Sequence, residues 1–412
     1  MNVLILGSGG REHALAWSIA KSENCSQLYV APGNAGTHEL AQNVAIAPTE
    51  FLQIKEFVEK KDIHLVIVGP EAPLVDGIKD FFEEAKLKDV QILGPDKAAA
   101  MLEGSKDFAK LFMQENKIPT AAYKTFTADT VEDGKAFLNS LEPPYVLKAD
   151  GLAGGKGVLI LNDLQEAKKQ LDEMLLHKKF GNAAQQVVIE EFLDGTEVSI
   201  FVLTDGKDYK LLPTAKDYKR IGDGDTGLNT GGMGAISPNL LADDELIKKV
   251  EGQIIQPTLQ GLKNRNYDYK GFIFLGLMII DSEPYVIEYN VRLGDPETQA
   301  ILLRIKTDLL SLLDKTTKGQ LADVDLEITG DFTATLVLAS GGYPGSYKKG
   351  EEISGLDKGE NNTIIFHAGT QLSNSKTVTS GGRVLAVTSH SADLETAIED
   401  SYKNSEEIKF TG

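Results

Sequence analysis

The sequence predicts a multidomain protein of α/β and α+β class that opens on a parallel-sheet domain and closes on an α+β domain. Three observations predict it. Apolar runs ending in glycine or proline turns alternate with helical patterns over residues 1–100. Strand patterns and glycine loops dominate the middle. Short β runs and one helical pattern fill the end. A chain of 412 residues is long enough for two to four domains.

The first region carries "VLIL" (3–6), "LYV" (28–30), "HLVIVG" (64–69) and "VQILG" (90–94), with helical patterns such as "EHALAWSIAKS" and "TEFLQIKEFVEKK" between them. This βαβ rhythm implies a parallel sheet with ligands at the strand C-termini. Those ends carry "GSGGRE", "APGNAGT" and "GPEAPL". A helix and linker span 101 to about 125. "YVLKADGLAGGKGVLIL" (145–161) reads as strand, glycine loop, strand, and "QVVIEEFLDGTEVSIFVL" (186–203) as strand, bend, strand. Residues 216–238 show almost no helix or strand pattern and read as a long functional loop. "FIFLGLMIIDSEPYVIEYNVRLGDPE" (272–297) reads as a hairpin turning at "DSEP". Residues 328–412 close with "ATLVLASGGYPG", "RVLAVTSH" and the helical "DLETAIEDSYKN".

The hydrophobic fraction of 42% and charged fraction of 25% are ordinary for a soluble protein. The single cysteine, Cys25, cannot form an internal disulfide, which fits a reducing, cytoplasmic setting and excludes a cysteine-cluster zinc site. The N-terminus lacks a secretory pattern, and the longest apolar run, "GFIFLGLMII", is about ten residues, too short to cross a bilayer. A net charge of −19 makes nucleic acid an unexpected partner. An anionic small substrate would need local lysines, arginines and N–H groups to outweigh that field.

"LGSGGREHALAWS" (6–18) invites a dinucleotide reading. Gly7 and Gly9 fit G-x-G-x-x-G, but Glu12 occupies the third glycine position. The second strand ends in Ala31, Pro32 and Gly33, with no acid for a ribose. A nicotinamide dehydrogenase is therefore excluded. Two readings remain: a helix N-terminus offering N–H groups to a phosphate, with Arg11 beside it, or a tight turn without a ligand. "KADGLAGGKGV" is not a Walker A loop, because Asp150 takes the first glycine position and Gly157 follows Lys156. Its four glycines between two strands favour a flap closing on phosphates over a plain hairpin loop, with Lys148 as a fixed charge. In "YVIEYNVRLGDPE", alternation puts Glu288, Asn290 and Arg292 on one face and Tyr285, Ile287, Tyr289 and Val291 on the other, on a strand read as central. A carboxylate beside an amide oxygen suits Mg²⁺, and Arg292 suits an anion. Asp295 and Glu297 follow at the turn. Lys219 and Arg220 give residues 216–238 an anion-binding edge.

With "APGNAGT", "GPEAPL", "EEFLDGTEVS", "NTGGMGA" and "RLGDPETQ" in order along nearly the whole length, the chain resembles the phosphoribosylamine–glycine ligases (glycinamide ribonucleotide synthetases) of the ATP-grasp superfamily. The resemblance implies an ATP-grasp core with a small flap domain. Its domains are 1–105, 106–327 (flap about 122–192) and 328–412. It implies ATP-dependent ligation of glycine to 5-phosphoribosylamine through a glycyl phosphate, an early step of purine synthesis.

The resemblance also assigns residues. Glu288 and Asn290 match the ligands of Mg²⁺ or Mn²⁺, and Lys106 and Lys148 match lysines at the ATP phosphates. Gly154, Gly155, Lys156 and Gly157 match the flap. Glu190 and the backbone near Phe192 and Leu193 match the adenine seat, and Glu197 matches the ribose acid. Gly9, Gly10, Arg11 and Glu12 are expected near the phosphoribosyl phosphate, with Arg220 also at substrate. Arg292, Asp295 and Lys219 are expected where the two substrates meet. The implied partners are small molecules only, with no nucleic acid or membrane, and the implied state is a monomer. Tyr218, Leu228 and Ala386 depart from the family's usual His, Pro and Gly. Leu277 and Met278 sit where many ATP-grasp enzymes carry another acidic ligand, so none is assigned. The alternatives are a different purine-pathway ATP-grasp enzyme, disfavoured by "NTGGMGA" and "RLGDPE", and a non-catalytic nucleotide-binding protein, disfavoured by the intact Lys148, Glu288 and Asn290.

Overall fold

The computed structural model describes residues 1–87, 89–154, 156–224, 226–357 and 362–411. The first region forms strands β1 (Asn2–Gly7), β2 (Gln27–Pro32), β3 (Gln42–Asn43), β4 (Leu65–Val68) and β5 (Gln91–Pro95), all parallel, in the order β5-β4-β1-β2-β3. A strand covered on both faces must be apolar at every position. β1 shows this: Leu4 and Leu6 enter one core with Val66 and Phe82, while Val3 and Ile5 enter another with Leu15 and Ile19 of helix Gly10–Ile19.

The next four strands, β6 (Tyr123–Thr127), β7 (Tyr145–Ala149), β8 (Val158–Leu161) and β9 (Gln186–Glu190), form a separate antiparallel sheet in the order β6-β9-β7-β8. Leu147, Ile189, Leu138, Leu171 and Met174 give it its own core against helices Val131–Leu138 and Leu164–Leu175.

Two strands follow, β10 (Thr196–Thr204) and β11 (Tyr209–Leu211), and then a correction. Residues 216–238 are not a loop. They form the hairpin β12 (Lys216–Gly222) and β13 (Thr226–Ser237), with an irregular register near its tip. Glycines such as Gly231, Gly232 and Gly234 carry no side-chain period, so nothing local announces the strand. Backbone contact specifies it instead: a Cβ on Gly234 would lie 2.8 Å from the Thr335 carbonyl oxygen.

β14 (Tyr269–Ile280) and β15 (Glu283–Asn290) form the expected hairpin, turning at Asp281 and Ser282, both at positive φ. β14 pairs with β10 and also, at Tyr269↔Pro95 and Lys270↔Gly94, with β5. A nine-stranded sheet results, crossing the boundary expected at residue 105. Gly271 permits the junction, since its Cβ would stand 3.1 Å from the Cα of Gly94. Two expectations for β15 fail. It is not central: among the described strands it pairs with β14 alone, and its outer edge is covered by the linker, where Thr120 forms an isolated bridge to Val286 and Val286 N–H donates to Pro119 O (2.8 Å). Nor does simple alternation hold. The register passes from Gly276↔Glu288 to Leu277↔Val286, so Ile287 is an extra, bulged residue. Val286, rather than Tyr285 or Ile287, joins Tyr289 and Val291 in the core.

The last region contributes β16 (Phe332–Ala339), β17 (Thr363–His367), β18 (Thr370–Ser373), β19 (Lys376–Thr379) and β20 (Arg383–Ser391), with helix Leu394–Glu406 against β16 and β20. Its main sheet, ordered β12-β13-β16-β20-β17, includes the glycine hairpin and so crosses the boundary expected at residue 327. Among the described residues no helix is long and apolar enough to span a membrane.

The last region docks on the first through two buried histidines. His13 Nδ1 accepts from His367 N–H (2.7 Å), and Asn34 Nδ2 donates to His367 O (2.8 Å). Burial, then the proximity of His367, pushes the His13 imidazole down to about 3; burial pushes His367 down to about 4. Unfolded, both titrate near 6.5, so the unfolded chain binds protons first as pH falls. The docking is therefore fully stable above about pH 6.5 and weakens progressively toward pH 4, by a few kcal/mol in order of magnitude. Urea midpoints measured across that range should fall, and His13→Gln should flatten the fall.

Candidate active site

Lys106 is the first residue of helix Lys106–Glu115, whose N-cap Ser105 accepts from Phe108 N–H (3.1 Å). Asp150, at the start of the glycine loop, accepts from Ser105 Oγ (2.9 Å) and Asp107 N–H (2.8 Å), tying that loop to the helix. Lys148, near the end of β7, places Nζ 2.9 Å from Glu190 Oε2 and 3.3 Å from Ile287 O. A second lysine, Lys110, reaches the same Glu190 oxygen at 3.0 Å. Sequence reading missed it; its spacing, one turn beyond Lys106 on the same helix, was the available signal. Burial alone would raise the Glu190 carboxyl, but Lys148 and Lys110 outweigh it and hold it below the usual range. Burial likewise lowers Lys110 to about 8, against the pull of Glu190.

Around this centre, Phe192 is exposed and Glu197 Oε2 lies 2.9 Å from Lys219 Nζ. In the loop, Gly154 sits at positive φ in open space and Lys156 is exposed. Gly157 is buried, with its carbonyl accepting from Ala149 N–H (2.8 Å). Gly155 lies outside the described residues.

β15 brings Glu288 and Asn290 beside these lysines. Burial opposes ionisation of Glu288, and Lys219, Lys148 and Lys106 overcome it. Asn290 is buried, and its Nδ2 has no partner. An ionised carboxylate next to the amide oxygen of a buried asparagine fits an Mg²⁺ or Mn²⁺ site, since oxygen donors of this kind suit hard cations. Lys219 and Asp217 share a face of β12, with Nζ 3.7 Å from Asp217 Oδ2. Despite burial, Lys219 is raised well above its usual range by Asp217, Glu197 and Glu288. Burial, and then Asp217, pushes Glu297 up. Arg220, the next residue along the strand, turns away and donates to Gly227 O (2.8 Å) at the hairpin tip. Arg292 is clamped by residues absent from the sequence-derived site: Nη2 lies 2.7 Å from Glu103 Oε1 and Nε 3.4 Å from Glu71 Oε2. Glu103 also accepts from Val291 N–H (2.8 Å), and burial, opposed by Arg292, pushes its carboxyl up to about 7.

The opening glycine turn differs from a bare anion seat. Gly9 N–H donates to Glu12 Oε2 and Arg11 N–H to Asp295 Oδ2 (2.9 Å). Arg11 Nε pairs with Glu12 Oε1 (2.7 Å) and its Nη1 donates to Leu293 O (3.0 Å). Two of the N–H groups offered by the helix N-terminus are thus engaged by the chain's own carboxylates, and the Arg11 charge is matched by Glu12. Gly10 is needed for close packing, since a Cβ there would strike Gln299 Nε2 at 2.3 Å. Asp295 meets a second arginine that sequence reading missed. Arg383, the first residue of β20, donates to Gly231 O (2.6 Å), Gly232 O (3.3 Å) and Asp295 O, with Nη2 3.5 Å from Asp295 Oδ1. The C-terminal region thereby braces the glycine hairpin. The only hint was its place in "SGGRVLAVTSH".

An antiparallel flap sheet facing a larger mixed sheet, with lysines converging on a Glu–x–Asn strand, defines an ATP-grasp protein. Family profiles sharpen the class: Phosphoribosylglycinamide synthetase N domain over residues 1–103, ATP-grasp (A) domain over 104–298 and C domain over 333–412. The chain belongs to the phosphoribosylglycinamide synthetase family. It is 47% identical over 416 residues to a phosphoribosylamine–glycine ligase of Haemophilus influenzae, covering 100% of this chain and 96% of that one. It is 45% identical over 416 residues to a bifunctional purine biosynthetic protein, PUR2,5, of Pichia angusta, of which it spans 52%. The crystal structure of a phosphoribosylamine–glycine ligase from Thermotoga maritima matches with a TM-score of 0.87 at 35% identity, covering 100% of this chain and 98% of that one.

Removing Arg383 frees three carbonyls, of Gly231, Gly232 and Asp295, and the Asp295 carboxylate. Arg383→Ala should lower kcat/KM by about 10–100-fold, the loss expected for charge-assisted hydrogen bonds. Hydrogen exchange should quicken at residues 230–232 while the flap sheet is unaffected.

Proposed function

We propose that this chain ligates glycine to 5-phospho-D-ribosylamine, converting ATP to ADP and phosphate and giving N1-(5-phospho-D-ribosyl)glycinamide. The observation that carries the reading is the convergence of Lys106, Lys148 and Lys219 on Glu288, beside Asn290, in a chain whose similarity to named phosphoribosylamine–glycine ligases runs end to end. A carboxylate is a poor acyl donor until it carries a leaving group. The glycine carboxylate oxygen takes the γ-phosphoryl group, releasing ADP. The phosphoribosylamine nitrogen then attacks the glycyl carbon, the C–O bond to phosphate breaks, and the nitrogen loses a proton.

Such chemistry is mostly positioning and charge neutralisation. Lys106 and Lys148 neutralise the triphosphate, and residues 154–157 close over it. Glu190 and the backbone at Phe192 and Leu193 take the adenine, and Glu197 takes the ribose. Glu288 and Asn290 would hold Mg²⁺ or Mn²⁺, which when bound supplies positive charge to the phosphates. Arg292, fixed by Glu103, and Lys219 stabilise charge on the transferring group. Asp295 orients the amine, with Arg220 at the rim of that site. Gly9, Gly10, Arg11 and Glu12 form the loop nearest the ribose phosphate, acting through the Asp295 and Leu293 contacts rather than as a bare N–H cradle. The same reading takes 1–105, 106–327 and 328–412 as functional domains, with the flap at about 122–192, in a cytoplasmic monomer without nucleic acid or membrane partners.

ADP release should require divalent cation, glycine and freshly generated phosphoribosylamine together; equal ADP formation without glycine would sink the assignment. Glu288→Gln should cut turnover by about 100-fold or more with an unchanged circular dichroism spectrum.

A further inference from the structure

Glu190 carries an asymmetry that the reaction does not use. Its Oε2 is shared by two ammonium groups, Lys148 at 2.9 Å and Lys110 at 3.0 Å. Its Oε1 is buried and has no hydrogen-bond partner. A buried acceptor left open is costly, so it points to a donor supplied from outside the chain.

The two lysines are not equivalent. Lys148 also reaches Ile287 O, and it stands close enough to Glu288 and Lys106 to influence both. A bound triphosphate competes for it. Lys110 is 2% exposed and is boxed in by Thr120 Oγ1 (2.9 Å) and Ala121 O (3.3 Å). Its one ion-pair partner among the described residues is Glu190. It therefore remains the counter-ion when Lys148 turns to phosphate.

We propose that Lys110 is a specificity-determining positioning residue: it keeps Glu190 an ionised, acceptor-only group and so makes the nucleotide site select a purine with an amino group at position 6 over one with a 6-oxo group. The inference rests on the reading of residues 186–193 as the nucleobase seat. An ionised carboxylate accepts only, whereas a protonated one also donates. A 6-amino group satisfies Oε1. A 6-oxo group presents a second acceptor to it, and sites that leave a buried polar group unpaired reject the wrong partner strongly. The charges facing the carboxyl are Lys110 from the helix and Lys148 from the adjacent β7, with Glu191 next in sequence and Tyr123 opposite on β6. Without Lys110, burial favours the neutral carboxyl, whose proton can be donated to a 6-oxo group.

The test compares kcat/KM for ATP and ITP in wild type, Lys110→Met and Glu190→Gln, together with Kd for ADP and IDP by calorimetry. Wild type should favour ATP by about 100-fold or more, and Lys110→Met should shrink the ATP:ITP ratio by about 10-fold or more, mainly through weaker ADP binding. A merely structural loss would lower both nucleotides together and leave the ratio unchanged, which in a folded Lys110→Met protein overturns the proposal while the nucleobase reading stands. Glu190→Gln, whose amide can donate to a 6-oxo group, should shrink the ratio even if Lys110→Met fails to fold. A wild type indifferent to ATP and ITP, or a ratio unmoved by Glu190→Gln, overturns the nucleobase reading and the proposal with it.

Discussion

The backbone pairing of β14 is the constraint on which the rest of the molecule depends. Its first residues complete the N-terminal sheet at Pro95 and Gly94, and its length then pairs with β10 on one edge and β15 on the other. One strand therefore joins the N-terminal parallel sheet and its loops to the strand carrying Glu288 and Asn290. Asp96 reinforces the junction: its side chain caps helix Lys97–Gly104 and accepts from Asp268 N–H (2.8 Å), just before β14 begins. The bulge at Ile287 follows from packing on this frame. It lets Val286, Tyr289 and Val291 fill the core while Glu288 stays beside the lysines.

Charge pairing is the second layer. The chain carries a net charge of −19, yet its site concentrates cations. Removing a charge from water is expensive unless it is paired, so the buried charges of the site have counter-ions, supplied by a different element except where Arg11 meets its own neighbour Glu12. Arg292 on the β15 side meets Glu103 and Glu71 from the N-terminal half; Glu190 meets Lys148 and Lys110; Arg11 meets Glu12. Such pairs contribute little net stability. Their effect is to hold charged groups in place before substrate arrives, which is what phosphoryl transfer requires of a protein.

The glycine hairpin shows how the C-terminal region enters the site. β13 lies between β12 and β16, so the strand bearing Lys219 is one ladder away from the last domain's sheet. Arg383 and Tyr343 meet its glycines at the backbone, the Tyr343 hydroxyl accepting from Gly231 N–H at 3.0 Å. Side chains at those glycine positions would occupy the space the arginine uses, with the nearest Arg383 atom 3.1 Å from a Cβ at Gly231.

The sequence by itself determined the elements whose burial is periodic: the parallel strands with their helices, the hairpin turning at 281–282, and the strand–loop–strand around 150–157. It also supplied the kinds of residue the chemistry needs, because Lys148, Glu288, Asn290 and Arg292 lie within recognisable short stretches. Only the tertiary structure decided the rest. Glycines in β13 have no period to read, and a one-residue bulge reverses alternation without changing composition. Partners such as Arg11 and Asp295, 284 residues apart, or Lys148 and Glu190, 42 apart, are chosen by which elements pack together. A short motif shows a residue's chemistry; its counter-ion is set by packing, and in this molecule the counter-ions decide which lysine is free, which carboxylate is ionised and which N–H groups remain to bind.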